Sequence, residues 1–170
     1  MKLRTIILTV IAVVVCSTTI FGSTSLGSFS TKFNADNEPR VNNIKIASEA
    51  VNGTLIKSGE VFSYNSTVGP TTEARGYKKA KIFVDGKEKQ GFGGGVCQVS
   101  STVYNAAVAA EMEITERHAH SKDVAYVAKD KDAATSYGVI DLKFKNTKEH
   151  PIKVISYVKE NTIFVEILKA

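Results

Sequence analysis

One cysteine of this chain stands where a reactive thiolate is expected. Cys97 follows three consecutive glycines, and the apolar periodicity after them predicts a helix over residues 96–112. Glycine lets the backbone approach a ligand closely, and the positive end of a helix favours the thiolate over the thiol. A small buried side chain is the alternative role, but it would need no flanking glycines. Cys97 is therefore the predicted nucleophile, and backbone N–H groups around Val96, Cys97 and Gln98 are predicted to hold the oxyanion. Gly94 and Gly95 are predicted as further oxyanion or substrate contacts.

Two histidines downstream are candidates for moving the proton. His118 and His120 lie in a segment of extended character, where residues two apart share one face of a strand. We predict His120 as the general base and acid, with His118 as its alternative. Two exposed histidines on an edge strand are the inert alternative. The third histidine, His150, precedes a proline in a turn and is assigned to the surface.

A carboxylate is needed to orient the imidazole, and two aspartates qualify. Asp141 begins a predicted strand and points away from its apolar residues, whereas Asp132 lies in a charged loop typical of a solvated surface. Both stay open, with Asp141 assigned to catalysis and Asp132 to support. The order cysteine, histidine, aspartate follows the logic of papain-like and transglutaminase-like sites, by analogy alone. Further supporting residues are predicted at Arg117, Ser121 and Tyr104.

A metal site is the main chemical alternative. Cys97, His118 and His120 would supply three zinc ligands and leave one coordination position open. Histidines at i and i+2 with a distant cysteine do not match a recognised zinc spacing, and the sequence has no His-Glu-x-x-His motif. The favoured prediction is a cysteine site that uses no metal and no cofactor.

Composition predicts a globular protein, and its positive net charge suits an anionic environment. Its 170 residues suit one domain and a targeting segment, and a hydrophobic fraction of 43% is enough for a core. The net charge is +5, and without Lys2 and Arg4 of the predicted leader it is 5 − 2 = +3, which suits a cell wall or the outer surface of the plasma membrane. No basic stripe interleaved with aromatic residues, zinc-finger spacing or arginine cluster indicates nucleic-acid binding.

The N-terminus is typical of an export signal. Lys2 and Arg4 precede an apolar run over residues 6–15, and small residues offer a cleavage position after Ser25. An uncleaved membrane anchor is the alternative interpretation of residues 1–25. Either one predicts that the domain formed by residues 26–170 is extracytoplasmic, secreted or anchored at the cell envelope.

Hydrophobic periodicity predicts a single α+β domain. A mixed, mainly antiparallel sheet is expected around a central helix that opens at the glycine–cysteine motif. Another helix is predicted over residues 40–52. Asp85-Gly86 between two extended runs predicts a β-hairpin, and a second hairpin is predicted around Glu160-Asn161. Further strands are predicted at residues 60–65, 117–127 and 138–145.

Several separated blocks of this sequence, in the same order, resemble the VanW family, which is named from vancomycin-resistance clusters. The resemblance extends over about residues 25–167. The chain departs from the family before Asp132, where it has Asp130-Lys131 in place of Gly-Arg. The blocks are Arg40-Val-Asn-Asn-Ile44, Ser58-Gly-Glu-Val-Phe-Ser-Tyr-Asn65, Gly76-Tyr77, Gly93-Gly-Gly-Val-Cys-Gln98, Glu116-Arg-His-Ala-His-Ser121, Asp132-Ala133 and Asp141-Leu142.

This resemblance implies chemistry on peptidoglycan. Some members of the family look like a separate class of L,D-transpeptidase that forms 3–3 cross-links between stem peptides through the motif cysteine. It therefore implies Cys97 as the nucleophile and peptidoglycan stem peptides as partners, with water as acceptor giving a carboxypeptidase instead. Two other functions stay open from the sequence: a non-catalytic module that binds cell wall or glycopeptide, and a zinc-dependent wall hydrolase.

Overall fold

The computed structural model describes residues 24–84 and 87–170. Residues 1–23 of the predicted leader lie outside the described residues, and so does the Asp85-Gly86 turn. Within the described part of the chain, no helix is both long and apolar enough to cross a membrane. The strands are β1 (Ser25–Lys32), β2 (Thr54–Ile56), β3 (Val61–Ser63), β4 (Lys79–Val84), β5 (Lys87–Phe92), β6 (Glu113–Glu116), β7 (Lys143–Lys145), β8 (Ile152–Lys159) and β9 (Thr162–Lys169), and the helices are α1 (Glu38–Val51), α2 (Tyr64–Val68) and α3 (Val96–Ala109), with a 3-10 turn at Glu73–Arg75.

All paired strands in the described part of the chain are antiparallel, and they form three sheets. The largest has the order β1-β9-β8-β2, the second has the order β3-β7-β6, and β4 pairs with β5 alone. The pairings of β4 with β5 and of β8 with β9 confirm the two predicted hairpins. The predicted α+β class with mainly antiparallel strands is confirmed, although the strands divide among separate sheets.

The core lies between the largest sheet and the helices α1 and α3. The predicted apolar stripe of α3 is buried, with Val99, Val103, Ala106, Ala107 and Ala110 at most 1% exposed. Burying one such valine contributes about 1.5–3 kcal/mol, so α3 is firmly held and its first turn is a rigid platform. The sheet residues buried in the same core include Ile152, Val154, Ile163, Val165 and Ile167.

Helix α1 begins before the predicted position because Asn37 caps it. The Asn37 side chain accepts a hydrogen bond from the backbone N–H of Arg40 at 3.2 Å. Pro39 lies in the first turn, where its missing N–H leaves no helical hydrogen bond unmade. The cap places Arg40 at the start of the helix.

The strand predicted over residues 117–127 is absent. β6 ends at Glu116, and beyond it His118 forms an isolated bridge with Ala134. The following chain is irregular and brings His120 to the start of α3. The sequence prediction was wrong because extended residues form a strand only where a neighbouring strand offers hydrogen bonds.

The strand predicted over residues 60–65 is cut short. Ser63 ends β3 and accepts a hydrogen bond from the backbone N–H of Ser66 at 3.0 Å, which starts the short helix α2. The capping serine therefore overrides the alternating pattern at Tyr64.

Candidate functional site

The three glycines before the cysteine form a turn that docks the start of α3. Gly93 and Gly95 have φ angles of 88° and 107°, in the region that favours glycine. A Cβ at Gly94 would lie 2.5 Å from the carbonyl oxygen of Lys81 in β4, so only glycine fits there. The buried Asn43 side chain holds the turn by donating to the Gly94 carbonyl at 3.1 Å. The glycines thus fix the backbone of the site.

Gly95→Ala is expected to destabilise the fold by about 3 kcal/mol. Besides its positive φ, a Cβ at Gly95 would lie 2.9 Å from Ile44 Cγ1 and 3.1 Å from the Arg40 carbonyl oxygen. Urea unfolding measures the loss. Gly138→Ala is the control, because Gly138 has a φ of 76° but nothing within 4 Å of its added Cβ, and we expect it to cost about 1 kcal/mol. Equal losses would contradict the packing role of Gly95.

Cys97 is the second residue of α3 and is partly exposed in a cleft. Its Sγ lies 3.4 Å from the carbonyl oxygen of Thr135 and 3.9 Å from the hydroxyl of the same residue. No side chain of residues 24–84 or 87–170 caps this helix, and its positive end lies at the thiol. The placement predicted from the sequence, a thiol at a helix start, is the one observed.

Of the backbone N–H groups predicted to hold an oxyanion, those of Val96 and Gln98 are already engaged in the described structure and that of Cys97 is not. The N–H groups of Val96 and Gln98 donate to the carbonyls of Gly93 and Gly95, each at 3.0 Å. They are therefore not available to an oxyanion. Among the described residues, the N–H of Cys97 itself has no acceptor, so it becomes the candidate donor.

The surroundings of Cys97 favour its thiolate. Burial raises the pKa of the thiol, but the hydrogen bond and the charge of His120 favour the thiolate, and the pKa lies below its ordinary value. Burial lowers the pKa of His120, whereas its interactions with Cys97 and Asp132 raise it above the usual histidine value. Both shifts favour a thiolate–imidazolium pair.

His120 is held by Asp132. One oxygen of the carboxylate, Oδ2, lies 2.5 Å from His120 Nδ1 and accepts from the His120 backbone N–H at 2.6 Å. Because Nδ1 is engaged, Nε2 is the nitrogen left to exchange a proton with the thiol. Burial raises the pKa of Asp132, but the hydrogen bonds from His120 and the charge of Arg117 lower it below its ordinary value. The carboxylate therefore stays charged.

Arg117 supports this carboxylate from the other side. Its Nη2 lies 2.7 Å from Asp132 Oδ1, and its Nε donates to the Asp132 carbonyl oxygen at 2.7 Å. The guanidinium carbon lies 5.5 Å from the ring centre of Tyr104. Three of the predicted supporting residues thus form one cluster. The fourth, Ser121, is exposed, and its side chain makes no hydrogen bond within the described residues.

Asp141, the predicted catalytic carboxylate, serves the fold instead. Its Oδ2 accepts from the Ser63 hydroxyl at 2.6 Å, and its Oδ1 accepts from the backbone N–H groups of Asn65 and Leu142, each at 2.8 Å. The assignment of Asp141 to the imidazole was wrong. The strand predicted over residues 138–145 is cut short to β7, which begins at Lys143, so Asp141 precedes it and the predicted alternation does not apply there. Asp132 takes that position.

His118 does not line the cleft. Its Nε2 lies 3.1 Å from Glu116 Oε1, and its side chain is 42% exposed. Hydrogen bonds with Lys143 and with the Asp141 backbone lower the pKa of Glu116 to about 2. Of the two candidate bases, His120 is the one beside Cys97. No group of three or more potential metal ligands occurs among the described residues.

A cleft of about 500 Å³ opens over the thiol. The ring of Tyr126 stands edge-on to the imidazole of His120, with the ring centres 6.5 Å apart. Burial raises the pKa of Tyr126 well above its usual value, so its hydroxyl stays neutral. The titratable basic side chains of the lining are Arg40, Lys81 and His120, and no aspartate or glutamate of the described chain lines it. The cleft therefore suits an anionic ligand.

Gln98, a predicted oxyanion contact, positions another side chain. It is 1% exposed, and its Nε2 donates to Thr31 Oγ1 at 3.1 Å and to the Lys32 carbonyl at 2.8 Å. With both amide hydrogens used, its Oε1 accepts from Arg40 Nη2 at 2.8 Å. Gln98 therefore acts on the cleft through Arg40.

The sequence interpretation missed four residues of this site, namely Arg40, Asn43, Tyr126 and Thr135. Only Arg40 carried a signal. A cation in the first turn of a helix opposes the helix dipole, so Arg40 is unfavourable for the helix alone and indicates another role. The other three depend on contacts between distant parts of the chain.

The lowered pKa of Cys97 predicts that this residue is alkylated at a lower pH than an ordinary cysteine. The rate of reaction of Cys97 with iodoacetamide should rise as the pH increases through the lowered pKa and level off above it, because only the thiolate reacts. Peptide mapping separates Cys97 from Cys16. The reference is the chain unfolded in urea, in which the inflection should lie at a higher pH. If the inflection of the folded chain lay at the same pH as that of the unfolded chain, or at a higher pH, the thiolate assignment would be contradicted.

Known proteins resemble this chain along most of the domain. The family model described as VanW like protein matches residues 39–168. The chain is 40% identical over 129 residues to the uncharacterized protein YoaR of Bacillus subtilis (strain 168), covering 76% of this chain and 43% of that protein. It is 34% identical over 114 residues to the vancomycin B-type resistance protein VanW of Enterococcus faecalis (strain ATCC 700802 / V583), covering 64% and 42%.

The chain thus spans less than half the length of these curated relatives. No solved structure matches it. The family model nevertheless covers nearly the whole domain, from the first turn of α1 to the end of β9, and includes the glycine turn, Cys97, His120 and Asp132. The chain belongs to the VanW family.

Proposed function

We propose that this domain is an extracytoplasmic, cysteine-dependent acyl-transferase that acts on peptidoglycan stem peptides in the manner of an L,D-transpeptidase. The observation that carries the proposal is the arrangement of Cys97 and His120 in one cleft at the positive end of α3, with Asp132 bonded to the far side of the His120 ring. A thiol of lowered pKa, a histidine that faces it and a carboxylate that orients the histidine are the parts that nucleophilic acyl transfer requires.

The first half of the reaction forms a thioester. The Cys97 thiolate attacks the carbonyl carbon of the third residue of a stem peptide, and the electron pair of the C=O bond moves to oxygen. The N–H of Cys97 and the positive end of α3 stabilise this oxyanion. His120 then gives a proton to the leaving amine, the C–N bond breaks, and the terminal D-amino acid departs.

The second half transfers the acyl group. The side-chain amine of a neighbouring stem attacks the thioester, His120 takes up the amine proton, and the C–S bond breaks to release the Cys97 thiolate, which restores the thiolate–imidazolium pair. The product is a 3–3 cross-link. Water in place of the amine would give a carboxypeptidase, and the same cleft would serve both reactions.

The setting supports a substrate of the cell envelope. The sequence predicts an export signal or an anchor, and the net charge of 5 − 2 = +3 that remains without Lys2 and Arg4 suits an anionic surface. The enterococcal relative is named for vancomycin B-type resistance. These features support the choice of peptidoglycan outside the cytoplasmic membrane as the proposed substrate.

Intact mass spectrometry of the full chain tests the proposal. Incubation with disaccharide-tetrapeptide should add the muropeptide less its terminal residue to the wild type, and nothing to Cys97→Ala. Circular dichroism and thiol titration verify that the wild type is folded with a free Cys97. No adduct under those conditions would overturn the proposal in favour of a non-catalytic module that binds cell wall. An equal adduct on Cys97→Ala would refute the nucleophile.

A further inference from the structure

The guanidinium of Arg40 is a second polar feature of the cleft. Arg40 is partly buried and lines the cleft together with Cys97. Within the described residues, its guanidinium makes one hydrogen bond, to Gln98 Oε1, and no aspartate or glutamate lies within salt-bridge distance. A guanidinium has five N–H donors. Most of its donors therefore remain available to a ligand.

The Arg40 side chain is held at two points, at its guanidinium and at Cγ. Gln98 can direct only its oxygen towards Arg40, because Thr31 and Lys32 take both of its amide hydrogens. On the other side, the backbone of Gly95 packs so closely that an added Cβ would lie 3.0 Å from Arg40 Cγ. Such preorganisation lowers the entropic cost of binding a ligand.

The other cations of the cleft already have acidic partners. Lys81 Nζ lies 2.8 Å from Glu88 Oε2 in an exposed ion pair. His120 is bound to Asp132. Among the basic side chains that the described structure places in the lining, Arg40 alone lacks an acid. Burial lowers the pKa of Arg40, and the charges of Tyr126 and Cys97 only partly oppose this effect. Arg40 and Cys97 line the same cleft.

We propose that Arg40 binds the terminal carboxylate of the peptide whose acyl group passes to Cys97, an inference that rests on the proposed acyl transfer. A planar guanidinium binds a carboxylate through two parallel hydrogen bonds, which fixes orientation as well as position. Arg40 would thus select the free end of a stem peptide over a bond within a longer peptide. The carboxylate leaves with the released amino acid, and Arg40 is then vacated.

Equilibrium binding tests Arg40 without requiring any chemistry. The full chain carrying Cys97→Ala is titrated by calorimetry with a stem tetrapeptide that ends in a free carboxylate, and with the same peptide ending in a carboxamide. We expect the acid to bind at least about tenfold more tightly, the effect of one charge-assisted pair. Adding Arg40→Gln should remove that preference. Arg40→Lys, which keeps the charge but not the two parallel bonds, should retain part of it.

The matched control removes the same charge from the same helix. Lys45 lies on α1, is exposed and does not line the cleft, so Lys45→Gln should leave the preference unchanged. Equal binding of the two peptides, no binding of either, or a preference that survives Arg40→Gln would overturn the assignment. A clear preference without any adduct on the wild type would overturn the proposed acyl transfer and leave the role of Arg40 standing.

Discussion

His120→Gln is expected to reduce acyl transfer from a stem peptide by about a thousandfold, the range typical of a general acid–base residue. Glutamine is close in size but cannot take the proton of Cys97 or return it to the leaving amine. The hydrogen bond that helps to lower the pKa of the thiol is also lost. Single-turnover formation of the thioester, followed by mass spectrometry, measures the change.

The matched control for this variant is His118→Gln. The same substitution two residues away removes a side chain that contacts Glu116 and does not line the cleft. We expect His118→Gln to keep the wild-type rate. The pH at which Cys97 becomes reactive to iodoacetamide should rise in His120→Gln and stay unchanged in His118→Gln. A larger loss of rate from His118→Gln would contradict our assignment of the base.

Asp132→Asn should lower the rate of thioester formation by at least about a hundredfold, because the neutral amide no longer fixes the imidazole with its proton on Nδ1. Asp132 acts through His120, so it is a positioning residue, and the alkylation profile of Cys97 should change with it. Its lowered pKa also adds acid sensitivity. The interactions of its carboxylate stabilise the fold above the ordinary carboxyl pKa and are lost as the pH falls through the lowered value.

Asp141→Asn is the matched comparison. Like Asp132→Asn, it removes the charge of a buried aspartate. The Asp141 carboxylate, however, accepts hydrogen bonds from Ser63, Asn65 and Leu142 and none from His120. We expect a loss of about 1–3 kcal/mol in the free energy of unfolding and an alkylation profile like that of the wild type. If Asp141→Asn shifted the alkylation profile and Asp132→Asn did not, our pairing of His120 with Asp132 would be wrong.

The contrast between these two aspartates shows how far the sequence could lead. Cys97 was predictable because its signals are local: three glycines before it and a helical pattern after it. The choice between Asp132 and Asp141 was not local. Both are at most 7% exposed, and what separates them is the side chain that each meets across the fold. Charged neighbours made Asp132 look solvated, yet its interactions with Arg117 and His120 hold it in the interior.

The same distinction applies to the fold. The hairpin of β8 and β9 and the helices α1 and α3 follow from patterns within a single segment. The division of the strands into three sheets depends on pairings between remote segments, such as β3 with β7 and β2 with β8. β2 has only three residues, too few for alternation to show. Arg40 belongs to the same class, since its role depends on Gln98, which lies 58 residues away.

The first and last strands of the domain are neighbours, and this has a consequence for its use as a module. β1 pairs with β9, and the Lys169 N–H donates to the Thr24 carbonyl at 2.9 Å. The polypeptide therefore enters and leaves the domain at one place. A unit with this property can be inserted into a surface loop of a host protein without forcing the two ends of that loop apart. Joining residue 170 to residue 24 by a short linker, to make a circular permutant, would likewise leave the cleft undisturbed.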